Sequence, residues 1–266
     1  MELSRTEEGA FILAPGFYEA DFKTFCLQPG TPDPSSGDEY FQAPIKGYRK
    51  DIIETILYNS RAKPQLDQKN IQLLLWSTVS GSNYSKLSPA VQSTATQLLS
   101  PKQIFELKGG VLGVVKTVTS QLSSSGLIKG NNDIQRLFET GTASYETFER
   151  AAVLREPSKR NRTDIKPDQW YRQEGNYFVR HIPASYKNVK IQVYVPGNGM
   201  DSSGKVAGEY IVFDPTGMQA VPANSNAQRL GIGGPVLDII RAVIKTGKAV
   251  EKQKKLPENK PGKTAQ

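Results

Sequence analysis

Cysteine and histidine are almost missing from this sequence: 266 residues hold one of each, Cys26 and His181. One cysteine excludes an intramolecular disulfide framework and argues against any cysteine-rich metal site. One histidine leaves histidine-based zinc sets and a Ser-His-Asp triad without material, unless His181 serves. His181 stands in Tyr177-Phe178-Val179-Arg180-His181-Ile182, which reads as a strand, so a packing role is the expectation there. No apolar run approaches the roughly 20 residues that cross a bilayer, so no transmembrane segment is expected. The start, Met1 to Glu8, lacks the basic start and apolar stretch of a signal peptide. Either the protein is cytoplasmic, or it is a secreted or cell-surface chain whose leader has been removed.

Charge is present in excess of one sign, with 34 Lys and Arg against 26 Asp and Glu. Such an excess speaks to association rather than fold. It is concentrated in a final segment with Lys245, Lys248, Lys252, Lys254, Lys255, Lys260 and Lys263, and in a cluster with Lys159, Arg160 and Arg162. A nucleic-acid face needs basic residues interleaved with exposed aromatics. Neither cluster has them, so no specific nucleic-acid partner is expected. Asp168, Asp201 and Asp214 form no recognisable metal loop. Gly231-Ile232-Gly233-Gly234 lacks the spacing and setting of a phosphate loop and reads as a connector. No metal, cofactor or catalytic residue is expected, and the protein is read as a non-enzyme.

The elements follow from periodicity. Phe11 to Leu13 and the aromatic-rich Phe17 to Leu27 read as strands, with Phe22, Thr24 and Cys26 on one face. Ile52, Ile53, Ile56 and Leu57 mark a helix over 49–60. Asp67 is placed to cap a second helix whose run Ile71 to Trp76 is apolar on all sides. Ser88-Pro89 and Ser100-Pro101 each put serine at the cap and proline first in a helix, and Gln103 completes a capping box. Helices are also expected over 111–122, over 144–155 and around Leu237 to Ile244. Trp170-Tyr171, Tyr177 to Ile182, Val189 to Val195 and Glu209 to Phe213 read as strands. The fold class expected is α+β. A mixed domain over 1–153 is followed by a linker at 154–167, a small antiparallel β region at 168–234, and an amphipathic helix with a basic tail at 235–266.

Two stretches stand out chemically. Thr24-Phe25-Cys26-Leu27 holds the lone thiol, and Asn70-Ile71-Gln72-Leu73-Leu74-Leu75-Trp76 sets a glutamine in an apolar run. An early aromatic-Cys-Leu segment followed by an Ile-Gln-x-x-Leu-Trp helix resembles the bacterial thioester domains of surface adhesins. The resemblance covers about the first hundred residues. It implies a covalent bond between the Cys26 sulfur and the Gln72 side-chain carbonyl, able to capture an amine from a protein or surface partner. Such a bond needs a held geometry and a dry pocket, for which Tyr18, Phe22, Phe25 and Trp76 are the candidate walls. Those adhesins usually continue into Ig-like domains and a wall-sorting signal; here Leu256-Pro257-Glu258-Asn259-Lys260 only begins like one. Two other readings stay open. Cys26 is a small buried hydrophobe in a structural or interaction protein, or a nucleophile that would need His181 as its base.

Overall fold

The computed structural model describes residues 3–109, 128–141, 144–199, 202, 207–236 and 241–242. In chain order the first elements are β1 (Phe11–Leu13), β2 (Gly16–Cys26), β3 (Thr31–Pro32), β4 (Tyr40–Ala43), α1 (Lys50–Arg61), α2 (Gln68–Ser80), α3 (Pro89–Leu98) and α4 (Pro101–Leu107). There follow α5 (Ile128–Thr140), α6 (Tyr145–Ala152), β5 (Val153–Leu154), β6 (Tyr171–Gln173), β7 (Tyr177–Ser185) and β8 (Asn188–Val195). The described chain ends with β9 (Ile211–Phe213), β10 (Gln219–Pro222), β11 (Leu230–Pro235) and β12 (Arg241–Ala242). The protein is α+β with antiparallel sheet, as its patterning predicts.

The central strand is β2, which is paired on both edges. Its first eight residues run against β8, from Gly16 opposite Val195 to Lys23 opposite Asn188. Its last residues meet β11, with Thr24 opposite Ile232 and Cys26 opposite Leu230. From β11 the pairing continues through β10, β4, β7 and β8 and returns to β2. Six antiparallel strands therefore close into a barrel, an arrangement that leaves those strands without a free edge. The β4–β7 seam is joined where Tyr40 faces His181. β6 extends β7, β12 extends β2, β1 pairs with β9, and β3 runs parallel to β5.

Two helices fix the end of β2. α1 turns Ile52, Ile53, Ile56 and Leu57 inward and lies flush on β11. A Cβ at Gly231, Gly233 or Gly234 would come within 2.9 Å of Leu57 Cδ1, Phe25 Cε2 or the Arg61 Cα, respectively. Glycine in a strand here permits close approach of a helix. α2 is buried continuously from Ile71 to Thr78, because α3, α5, α6 and β2 surround it. The Asp67 side chain caps its first turn, and Gly81, at φ 74°, ends it in the left-handed conformation that glycine adopts without strain.

Several sequence expectations change. The stretch 154–167 does not separate two cores, since β2 and β4 lie in the same barrel as β7, β8, β10 and β11. It is tied down along its length: Arg155 bonds Asp33, Lys159 N–H donates to Asn226, and Arg160 donates to the Ser36 carbonyl. The basic cluster there is thus engaged with the body of the protein. Residues 231–234 are a strand and not a connector. Arg241 and Ala242 pair with Glu19 and Tyr18 as a strand, where a helix was expected. The expected helix over 111–122, the rest of the final helix and the basic tail fall outside the described residues. β4 and β10 are two strands that the sequence pattern does not announce.

Candidate functional site

α2 presents Gln68, Gln72 and Trp76 at successive i, i+4 positions, so the three share one face, and that face meets the end of β2. Gln68 Nε2 donates to the carbonyls of Thr24 (3.2 Å) and Lys187 (2.9 Å). This ties β2 to the turn between β7 and β8. Thr24 N–H also donates to the Lys187 carbonyl at 2.8 Å.

One turn on, Gln72 makes two bonds to a single residue. Its Oε1 accepts from the Cys26 N–H at 2.9 Å, and its Nε2 donates to the Cys26 carbonyl at 3.0 Å. Both residues are buried, and 46 positions separate them. The Gln72 carboxamide is therefore held against the backbone of the residue that carries the only thiol. The Cys26 N–H points at the Gln72 carbonyl oxygen, where it polarises the carbon and is placed to stabilise an oxyanion.

The thiol itself is deeply desolvated. Burial pushes the Cys26 pKa up to about 12, against smaller opposing contributions from the Trp76 N–H and the Gln28 backbone. The charge of Asp33 adds to the rise. The Trp76 indole N–H is near the sulfur but has no well-formed hydrogen bond.

Trp76 also connects Cys26 to a polar aromatic group at the surface. Its ring stacks on Tyr145 (6.0 Å between centroids, 22° between planes) and lies 6.4 Å from that of Tyr186. The two tyrosine hydroxyls are 2.7 Å apart, and Tyr186 Oη donates to Glu149 Oε1 in a very short bond. Lys187 Nζ and Arg155 reach the same carboxylate oxygen at 3.1 Å and 3.2 Å. Burial pushes the Glu149 carboxyl up. The bonds from Tyr186 and Lys187, with the charges of Lys187 and Arg155, outweigh it and hold the group below its ordinary value. Glu149 is thus ionised. Asp33 binds the underside: it accepts from Tyr186 N–H and Gln228 Nε2 through Oδ1, and from Arg155 through Oδ2.

Of the residues expected in the site, the structure brings together Cys26, Gln72 and Trp76. Tyr18 lies eight residues back along β2 and donates its hydroxyl to the Ala14 carbonyl. Phe22 packs edge-on to Phe213. Phe25 faces the other side of the strand, beneath Gly233 and α1. His181 is buried in the barrel wall opposite Tyr40 and Ile191, with neither ring nitrogen bonded. Burial holds its pKa down at about 3, so it is a neutral core residue. Sequence reasoning missed Gln68, Asp33, Tyr145, Glu149, Tyr186 and Lys187. Only Gln68 carried a signal, the four-residue spacing it shares with Gln72 and Trp76. Among the described residues no group of three or more His, Cys, Asp or Glu could hold a metal ion. No helix among them is long and apolar enough to cross a membrane. Compared with protein-family models, curated proteins and solved structures, the chain matches none.

Proposed function

We propose that this chain closes an internal thioester between Cys26 Sγ and Gln72 Cδ and uses it to capture an amine covalently. The reciprocal pair of hydrogen bonds between the Gln72 carboxamide and the Cys26 backbone carries the reading. Sulfur attacks Cδ, the C–N bond breaks, and the thiol proton leaves with the nitrogen as ammonia. The Cys26 N–H at Oε1 supports the tetrahedral intermediate. The product is neutral, so the burial that opposes a free thiolate does not oppose the thioester. A sulfur whose thiolate is this unfavourable is also a slow leaving group, which protects the bond while the pocket stays dry.

Capture is the converse step. A free-base amine attacks Cδ, the C–S bond breaks, and the departing sulfur takes the proton that the nitrogen loses. The partner remains on Gln72 through an amide and the Cys26 thiol is restored. Nothing turns over, so the chain is a single-use attachment device and not an enzyme. The resemblance of residues 24–27 and 70–76 to adhesin thioester domains supports a secreted or cell-surface setting and a protein or surface amine as partner.

The same hydrogen bonds also favour a second reading. Gln72 can act as a backbone clamp that finishes the β2 ladder, with Cys26 a core residue of a structural or interaction protein. Intact mass of the purified protein separates the two, with Cys26→Ala alongside. A wild type lighter by one ammonia, with the deficit absent from the variant, is the expected result. An unmodified mass, with a thiol that reacts on denaturation and with Gln72 not converted to glutamate, would leave the clamp.

A further inference from the structure

The group above Trp76 has the composition of an ammonium receptor. Lys187 Nζ, half-exposed, sits 3.1 Å from Glu149 Oε1, 5.3 Å from the Tyr186 ring and 6.0 Å from the Tyr145 ring. A second ammonium, that of Lys69, lies 5.1 Å from the Tyr145 ring. One ionised carboxylate flanked by two tyrosine faces is the arrangement that attracts alkylammonium groups, through charge pairing and the negative face of each ring. The chain fills it with its own cations: Lys187, and Arg155, which reaches the same Glu149 oxygen at 3.2 Å and lies 6.0 Å from the Tyr186 ring.

We infer that Glu149, Tyr145 and Tyr186 form a specificity cage for a primary alkylammonium on the outer side of Trp76 from the Cys26–Gln72 pair, and that Lys187 is its resident stand-in. The inference rests on the thioester reading and adds which residues choose the amine. Trp76 is the shared wall: its indole N–H is near the thiol, and its ring stacks on Tyr145 and lies tilted against Tyr186. An incoming ammonium replaces Lys187 on Glu149. It then gives up its proton to solvent at the rim, because the interior beside Gln72 disfavours the charged form. Lys187 can yield its place because its main chain is fixed independently, through its carbonyl to Thr24 and Gln68. The shared ligand chemistry is a primary alkylammonium, from a protein lysine or a free polyamine.

The test compares three nucleophiles by mass: Nα-acetyl-lysine N-methylamide, putrescine and hydroxylamine, which is uncharged at neutral pH. Glu149→Gln and Tyr186→Phe should slow capture of the two cationic amines by on the order of tenfold while leaving hydroxylamine unchanged. Lys187→Met should speed capture of the cationic amines alone. Preference for the lysine amide over putrescine assigns the cage to a protein side chain; the reverse assigns it to a free polyamine. Equal slowing of all three nucleophiles would overturn the cage and leave a merely structural cluster. Should the wild type show neither an ammonia deficit nor glutamate at position 72, the thioester reading fails, and the cage is then tested alone. In a Trp170→Phe background, Trp76 fluorescence should respond saturably to n-butylammonium but not to butanol, and Glu149→Gln should abolish the response. A flat titration would overturn the cage whatever the state of the bond.

Discussion

Both ends of the Gln72 carboxamide bind the main chain of Cys26, so the two residues contribute differently to stability. Gln72→Met leaves a buried N–H and a buried carbonyl without partners, each costing about 1–3 kcal/mol. Cys26→Ala keeps both bonds and removes only the sulfur from a packed site, at a cost of about 1–2 kcal/mol. Urea unfolding should therefore rank Gln72→Met as the more destabilising. The size of the Cys26→Ala loss carries further information. A crosslink closing a 46-residue span would raise it by about 4 kcal/mol through the entropy of the unfolded chain. These two residues were legible in the sequence because each is odd in its setting, a lone thiol and an amide in an apolar run. Of their aromatic surroundings only Trp76 was. Alternation along β2 says which side chains share a face, but the neighbours of the strand end, Tyr145 and Tyr186, come from more than a hundred residues away.

Among the elements, the α1–β11 contact is the most sensitive to a single methyl group. Gly234→Ala would place a Cβ 2.9 Å from the Arg61 Cα, a backbone atom that yields only if the helix moves. Gly231→Ala meets Leu57 Cδ1, the far end of a side chain that can rotate. Thermal melts should show Gly234→Ala losing more stability than Gly231→Ala, by at least about 1 kcal/mol given the usual cost of overpacking. Equal losses would mean that α1 adjusts as a body. The glycines read as a connector because glycine breaks regular structure locally, and only the helix lying across them shows why they are there. α1, α2, α3 and α4 were legible for the opposite reason: their caps and apolar spacing are local signals, and Asp67, Ser88 and Ser100 each cap the helix they precede. β4 and β10 are four residues each and lack a clear alternation, so nothing local marked them.

For the whole molecule, the barrel joins residues 16–43 to residues 177–235, and the two halves should not fold apart. A fragment covering 168–235 lacks β2 and β4 and is expected to show no cooperative unfolding. A folded fragment would restore the two-region division. The net response to acid is also a property of the whole. His181, held at about 3 by burial against an ordinary 6.5, refuses a proton that the unfolded chain accepts. Its contribution is full above pH 6.5 and is lost as pH falls toward 3, at about 1.4 kcal/mol per unit. Glu39 acts in the opposite sense. Burial raises it from 4.5 to about 7, so its contribution is full below pH 4.5 and is lost as pH rises toward 7. Between about pH 4.5 and 6.5 the two oppose each other. His181→Leu should therefore gain stability on acidification across that window, and Glu39→Gln should lose it, both read by urea unfolding at stepped pH. Slopes of the reverse sign would overturn the buried assignments. The closing of β2 against β11 also sets an order of events during synthesis. Leu230, the strand partner of Cys26, is synthesised about two hundred residues after it. Until then the end of β2 lacks its partner strand. Any chemistry that needs the completed barrel around Cys26 must wait for nearly the whole described chain.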